Sequence, residues 1–295
     1  MSSGTPPIRE GFGTVHGYRF YWRSAGDPGP RGTVLLLHGG PGATHDYLLV
    51  FEELARLGYR VVFYDQLGCG RSELARDLGE YSVERDLRDL EELRTRLDLG
   101  RVHLVGSSYG GALALAYALA HPEALRTLVS VSGLASIPLT VSEMARLKSE
   151  LPAPLPAILA EHEARGEFQH PEYLRAVNEF YRRHLCRLPE WPSEVRYTME
   201  RTNSPKYLTM NGPNEFTITG TIRDWDITDR LGEIQLPTLV TAGRYDEVTP
   251  KVAESIHRGI PSSEYQRFEE SSHLAFWEER ERFFGVLADF LDRHA

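Results

Sequence analysis

Gly106-Ser107-Ser108-Tyr109-Gly110 sets a serine between two glycines at the spacing G-x-S-x-G. A serine hydroxyl is a weak nucleophile until a base takes its proton, and it must stand clear of the backbone to reach a substrate carbonyl. A tight strand-to-helix turn gives that exposure. Glycines two residues to either side remove the Cβ atoms that would collide inside such a turn. Ser107 does not fit, because Val105 and Tyr109 flank it at that distance. The spacing predicts Ser108 as an acyl-transfer nucleophile; the bland alternative is a βα turn with a serine cap.

Eleven histidines compete for the role of base. His273, in Ser271-Ser272-His273-Leu274-Ala275-Phe276-Trp277, falls between the last predicted strand and the last predicted helix, at the sheet edge where Ser108 also lies. His121 ends a predicted helix, His257 is inside one and His103 is inside a strand. An acid must hold the imidazole tautomer and stabilise its charged form. Asp246 follows the predicted strand Pro237–Thr241, which gives the chain order Ser108, Asp246, His273. Asp224, Asp226 and Asp229 are rival acids, but none of them follows a sheet strand. A tetrahedral intermediate also needs backbone N–H donors. Tyr109, next to the nucleophile, is one candidate; the loop His38-Gly39-Gly40-Pro41-Gly42 is the source of the other. That loop lacks the Gly-Lys-Ser/Thr of a phosphate loop, and neither H-E-x-x-H nor C-x-x-C occurs, so no metal site is expected.

These residues need a scaffold. Arg19–Trp22 reads as a strand of an opening hairpin, and Thr33–Leu37 and Arg60–Tyr64 as buried parallel strands. Ser82 opens an amphipathic helix with Leu87, Leu90, Leu93 and Leu97 on one stripe. Val102–Val105, a small-residue helix Tyr109–Ala120 and the strand Leu125–Val131 follow. The alternation predicts an α/β fold, a mostly parallel twisted sheet with helices on both faces. It breaks near Pro138; a charged, proline-punctuated helical stretch then runs to about Arg223. Strand and helix signals resume with Pro237–Thr241, Val252–Arg258, Glu264–Phe268 and a closing helix Trp277–Arg293. The expected organisation is a core of residues 1–138 plus 227–295 with an inserted helical cap, 139–226.

Composition narrows the function classes. The 295 residues carry a net charge of −9 and are 41% hydrophobic, which excludes a disordered chain and argues against a phosphate-backbone partner. Two cysteines make no disulfide framework. The start Met1 to Pro7 has neither a basic nor an apolar stretch, and the longest apolar run, Ala112–Ala120, is about half of what a bilayer needs. A cytoplasmic protein without membrane or nucleic-acid partners is expected.

Taken together, His38-Gly39-Gly40-Pro41-Gly42, the run Tyr64 to Ser72, Gly106 to Gly111, Asn211 to Phe216, Tyr245 to Val248 and Ser272 to Trp277 resemble the proline iminopeptidase family of α/β-hydrolases, most of all the broader tricorn-interacting aminopeptidases. The resemblance implies an α/β-hydrolase fold without a cofactor. It further implies a serine exopeptidase that releases one N-terminal residue, proline or another mainly apolar one, from short peptides with a free N-terminus, and a functional link to a larger upstream protease. It carries over Ser108, Asp246 and His273 as the triad, with Tyr109 and one glycine of 39–40, Gly40 by preference, as oxyanion donors. It also carries over Glu215 and Glu247 as holders of the substrate amine. A carboxylate pair in a water-poor pocket attracts an ammonium and rejects a blocked amine. Tyr109, Phe216, Trp225, Phe276 and Trp277 are candidate walls for the first side chain, each equally able to be core. The run Asp65 to Ser72 reads as structural. An esterase, lactonase or amino-acid amidase on the same scaffold is the alternative, and a non-catalytic binder a third.

Overall fold

Val34, Leu35, Leu36 and Leu37 are all buried, yet they serve two different cores. Leu35 and Leu37 pack with Val62, Leu104, Leu113 and Tyr117, whereas Val34 and Leu36 pack with Val61, Phe63, Phe51 and Phe283. A strand sends successive side chains to opposite faces, so an unbroken apolar run must lie between two layers. The computed structural model describes residues 6–295 and shows that arrangement. The reading of the N-terminal stretch concerns in part residues 1–5, which lie outside the described residues.

The sheet has eight strands in the order β1-β2-β4-β3-β5-β6-β7-β8. β1 (Ile8–Val15) and β2 (Tyr18–Ala25) form an antiparallel hairpin closed by His16 and Gly17, both at positive φ, as a two-residue turn demands. β2 runs antiparallel to β4 (Arg60–Tyr64). The remaining pairings, among β3 (Thr33–Leu37), β4, β5 (Val102–Ser107), β6 (Leu125–Val131), β7 (Thr238–Gly243) and β8 (Ser263–Phe268), are parallel.

α1 (Val83–Arg96) starts where Ser82 Oγ accepts the Arg85 amide. Its buried face departs from the expected leucine stripe. Leu90 and Leu93 are buried, but Asp86 and Asp89 share that face, each paired with a cation, while Leu87 and Leu97 are only partly covered. α2 (Tyr109–Ala120) lies almost wholly inside. The 3₁₀ helix Asp46–Leu57, which the sequence pattern did not announce, ends at Gly58.

Between β6 and β7 run α3 (Ile137–Ser149), α4 (Leu155–Arg165), α5 (Pro171–His184), α6 (Ser193–Arg201) and α7 (Ser204–Met210). Four of these carry a proline in their first two positions, where its missing N–H costs nothing. The two ends of the insertion are tied together: Ile137 donates its amide to Trp225 O, Ile227 to Ala135 O, and Ser136 Oγ–H bonds Asp226. α8 (Pro250–Gly259) joins β7 to β8. The expected single closing helix is two, α9 (Ala275–Glu278) and α10 (Arg280–Asp292). Glu279 breaks out of helical geometry between them, and its carboxylate accepts the Ser271 hydroxyl and the Glu270 amide. No helix among the described residues is long and apolar enough to cross a membrane.

Candidate active site

β5 ends at Ser107 and α2 begins at Tyr109, so Ser108 alone turns the chain. Its φ of 58° and ψ of −123° are a strained backbone conformation for a residue with a side chain. The surroundings hold it there. The Ser108 amide donates to Val131 O at 3.0 Å, and its carbonyl accepts the amides of Gly111 and Ala112 at 2.8 and 3.2 Å. The flanking glycines are sterically required: a Cβ on Gly106 would lie 2.0 Å from Gly110 O, and one on Gly110 2.2 Å from Leu37 O.

His273 follows β8 and is 3% exposed. Its Nδ1 bonds Asp246 Oδ1 at 2.7 Å, and the same oxygen accepts the Val248 amide at 2.9 Å. A carboxylate accepts, so Nδ1 donates this bond, and Nε2 is the nitrogen left to exchange a proton with a substrate. Of the rival acids, Asp226 is engaged by Ser136 and Thr228, and Asp224 pairs with Arg223 at the surface.

Ser108 and His273 line one cavity of about 200 Å³, together with Gly39, Gly40, Glu215 and Glu247. Asp246 stands behind the imidazole. The Gly39 amide is taken, since it donates to Tyr47 Oη at 2.8 Å. The amides of Gly40 and Tyr109 donate to no acceptor among the described residues. Gly40 has φ +113°, and a Cβ there would meet Gly42 N at 2.5 Å. Tyr109 does not face the cavity with its ring; its hydroxyl donates to Asp86 Oδ2 at 2.8 Å.

Glu215, from the loop after α7, accepts the Tyr207 hydroxyl at 2.7 Å. Glu247 is 1% exposed, its Oε1 lies 4.0 Å from His273 Nε2, and its Oε2 has no partner. Burial raises the pKa of both carboxyls; for Glu247 the charges of Glu215 and Asp246 push further upward while His273 pulls down. Burial works against charge on His273, but Asp246, Glu247 and Glu215 outweigh it and hold the imidazole at about 9. Three acids around one base give the site a negative potential, with Glu247 Oε2 and Asp246 Oδ2 as unfilled acceptors.

Tyr47, Tyr181, Leu185, Val195, Tyr207 and Leu274 form the apolar wall. Of the aromatic candidates, Phe276 instead packs at a tilt against Phe51 in the core, Phe216 packs edge-on to Phe180, Trp277 donates to Tyr47 O from behind, and Trp225 packs against the core. The wall therefore comes largely from α5, α6 and α7, whose apolar residues are spaced like those of any helix and carry no signal in sequence. His184, at the end of α5, was equally hidden: its single carbonyl accepts the amides of both Glu247 and His273, at 3.1 and 3.2 Å.

The run Asp65 to Ser72 is a brace. Asp65 accepts from His45 and Arg71, Ser72 Oγ–H bonds Asp65 O, and the Gln66 amide donates to His38 Nε2. Burial pushes the His38 imidazole down to about 4, so it stays neutral. Two clusters bring metal-ligating atoms together, His45–Asp46–Asp65 and His162–His170–Glu172. The first spends its atoms on the brace. In the second the two rings stack at 4.3 Å, so their in-plane lone pairs run side by side rather than converging. Neither contributes a group to the cavity.

A strained serine at a strand–helix turn, with an acid and a histidine from the loops after β7 and β8, defines a serine hydrolase of the α/β class. The family model of the alpha/beta hydrolase fold matches residues 32–280. A proline iminopeptidase of Saccharolobus solfataricus is 46% identical over 97% of this chain and 93% of its own. Among solved structures, VinJ superposes with a TM-score of 0.95 at 39% identity (98% of this chain, 100% of that one), and the proline iminopeptidase of Mycobacterium smegmatis with 0.91 at 34% (97% and 98%). The chain belongs to the proline iminopeptidase family of α/β-hydrolases.

Proposed function

We propose that this chain is a serine aminopeptidase that releases a single N-terminal residue, proline or another mainly apolar one, from short peptides. The observation that carries this reading is a pair of carboxylates, buried Glu247 and part-buried Glu215, facing the same cavity as Ser108 and His273. A buried carboxylate with an oxygen left unfilled, as Glu247 Oε2 is, is costly unless a cation completes it. The ammonium or imino group of a peptide N-terminus is such a cation, and its carbonyl lies two bonds away, next to Ser108.

In this mechanism Ser108 Oγ attacks the first carbonyl while His273 Nε2 takes its proton. The Gly40 and Tyr109 amides hold the oxyanion, and the imidazolium returns the proton to the leaving amine. Water, activated by the same imidazole, then releases the amino acid and restores Ser108. The charge balance suits this order. In the empty site three carboxylates keep the proton on His273; a cation seated between Glu215 and Glu247 offsets that field and frees the base. In this reading residues 1–138 and 227–295 are the catalytic core, 139–226 is a cap that shapes the pocket, and the enzyme works in the cytoplasm on peptides that a larger protease has already shortened.

The test is a panel of Pro, Ala, Leu and Phe p-nitroanilides, each with a free and an N-acetylated amine. Turnover confined to the free-amine set is expected. In Glu215→Gln and in Glu247→Gln that turnover should fall about 10- to 100-fold, the worth of one buried charge-assisted hydrogen bond. Equal turnover of blocked and free substrates would replace this reading with an esterase or amidase.

A further inference from the structure

Lys206, in the first turn of α7, is fully buried. Its Nζ donates to Asp86 Oδ1 and Oδ2 at 3.0 and 3.2 Å and to Leu67 O at 3.2 Å. Asp86 belongs to α1 and is 2% exposed. The Asp86 oxygen that receives Lys206 at 3.2 Å also receives the Tyr109 hydroxyl, and Tyr109 is the residue whose amide adjoins Ser108. On the other side of Lys206, Tyr207 donates to Glu215. Just before it, the Asn203 amide donates to Gly42 O at 2.8 Å and Asn203 Nδ2 to Gly68 O at 2.6 Å. One short segment of the insertion is thus fastened to the loop that carries Gly40, to the brace and to the residue after the nucleophile.

Burying an ammonium and a carboxylate together is a poor way to gain stability, because an apolar pair of similar size often does as well or better. What such a pair supplies is direction: it accepts one docking geometry and no other. We propose that Lys206 and Asp86 are positioning residues that set α7, and through Tyr207 the Glu215 carboxylate, in fixed register with the Tyr109–Ser108 turn. The spacing between the amine holder and the oxyanion donors is then set by this pair. The inference builds on the amine-binding reading of Glu215.

The variants are Lys206→Met with Asp86→Asn, which leaves no unpaired charge and keeps an acceptor for Tyr109, and Tyr109→Phe, which keeps the ion pair and cuts only its link to the nucleophile turn. Each is assayed on alanyl p-nitroanilide and on p-nitrophenyl acetate, which has no amine, below its measured melting temperature. The double variant should lower the ratio of kcat/KM for the anilide to that for the acetate about tenfold, mostly through KM, since misplacement on the ångström scale carries penalties of that size or more. Tyr109→Phe should lower kcat on both substrates by several-fold at an unchanged melting temperature. Ratios equal to wild type in the double variant, with only the melting temperature lowered, would reduce the pair to a structural fastener and overturn the proposal. Failure of the double variant to fold leaves Tyr109→Phe to decide: wild-type kcat there overturns the link. Glu215→Gln run alongside separates the two readings, because an unchanged ratio in that variant removes the amine site and this proposal with it.

Discussion

At the residue scale the site is a balance of charges around one imidazole. With its proton held to about pH 9 by three acids, His273 is charged at neutral pH in the empty pocket. Turnover of a small ester without an amine should therefore climb with pH toward about 9. Glu247→Gln removes one of the charges that retain the proton, so the rising limb should move to lower pH; a pH–rate profile of both proteins checks the sign. Ser108→Ala should cost at least about 10⁴-fold in kcat/KM with the fold retained, measured with an aminoacyl anilide and far-UV circular dichroism. Ser108, Asp246 and His273 were expected from residue type and from their places in strand-end turns, and the structure sets His273 on Asp246 and in one cavity with Ser108. Between Gly39 and Gly40 the residues alone gave no signal; the Tyr47 hydroxyl, eight residues on, takes the Gly39 amide and so favours the proposed Gly40.

At the element scale, strands and the helices beside them follow from local pattern. Tyr109–Ala120 and Leu125–Val131 are read with the same ends that the structure has. Where pattern misled, tertiary partners decided. Asp86 and Asp89 sit on a buried face because Lys206 and Arg85 meet them there, and no periodicity reports a partner 120 residues away. The closing helix divides because the Glu279 carboxylate is engaged by the loop that leads to His273. Two expectations belong here. Gly110→Ala should give no soluble enzyme, since its Cβ would fall on Leu37 O; expression and solubility report it. Ser82→Ala should cost about 1 kcal/mol through the lost cap of α1, read from urea denaturation.

At the scale of the whole molecule, the pocket makes the fold pH-sensitive in a defined direction. His273 holds its proton to about 9 instead of its ordinary 6.5, so its stabilising contribution is complete below 6.5 and is lost as pH climbs to 9. Glu215 and Glu247 ionise less readily in the folded state than in the unfolded chain, so their penalty grows above their ordinary 4.5. The two carboxyl penalties set in above 4.5, and the loss from His273 adds to them between 6.5 and 9. Glu247→Gln should accordingly gain on wild type by a few degrees of melting temperature between pH 5 and pH 8, seen by thermal scans at both. The carbonyl of His184 has a longer reach than its size suggests. Because one peptide oxygen on the insertion tethers the strand-end loops bearing Glu247 and His273, the two loops share a hinge post. The helices α6 and α7 that line the pocket do not share it, so mutation can recut the wall for new side chains while the proton-handling pair stays yoked.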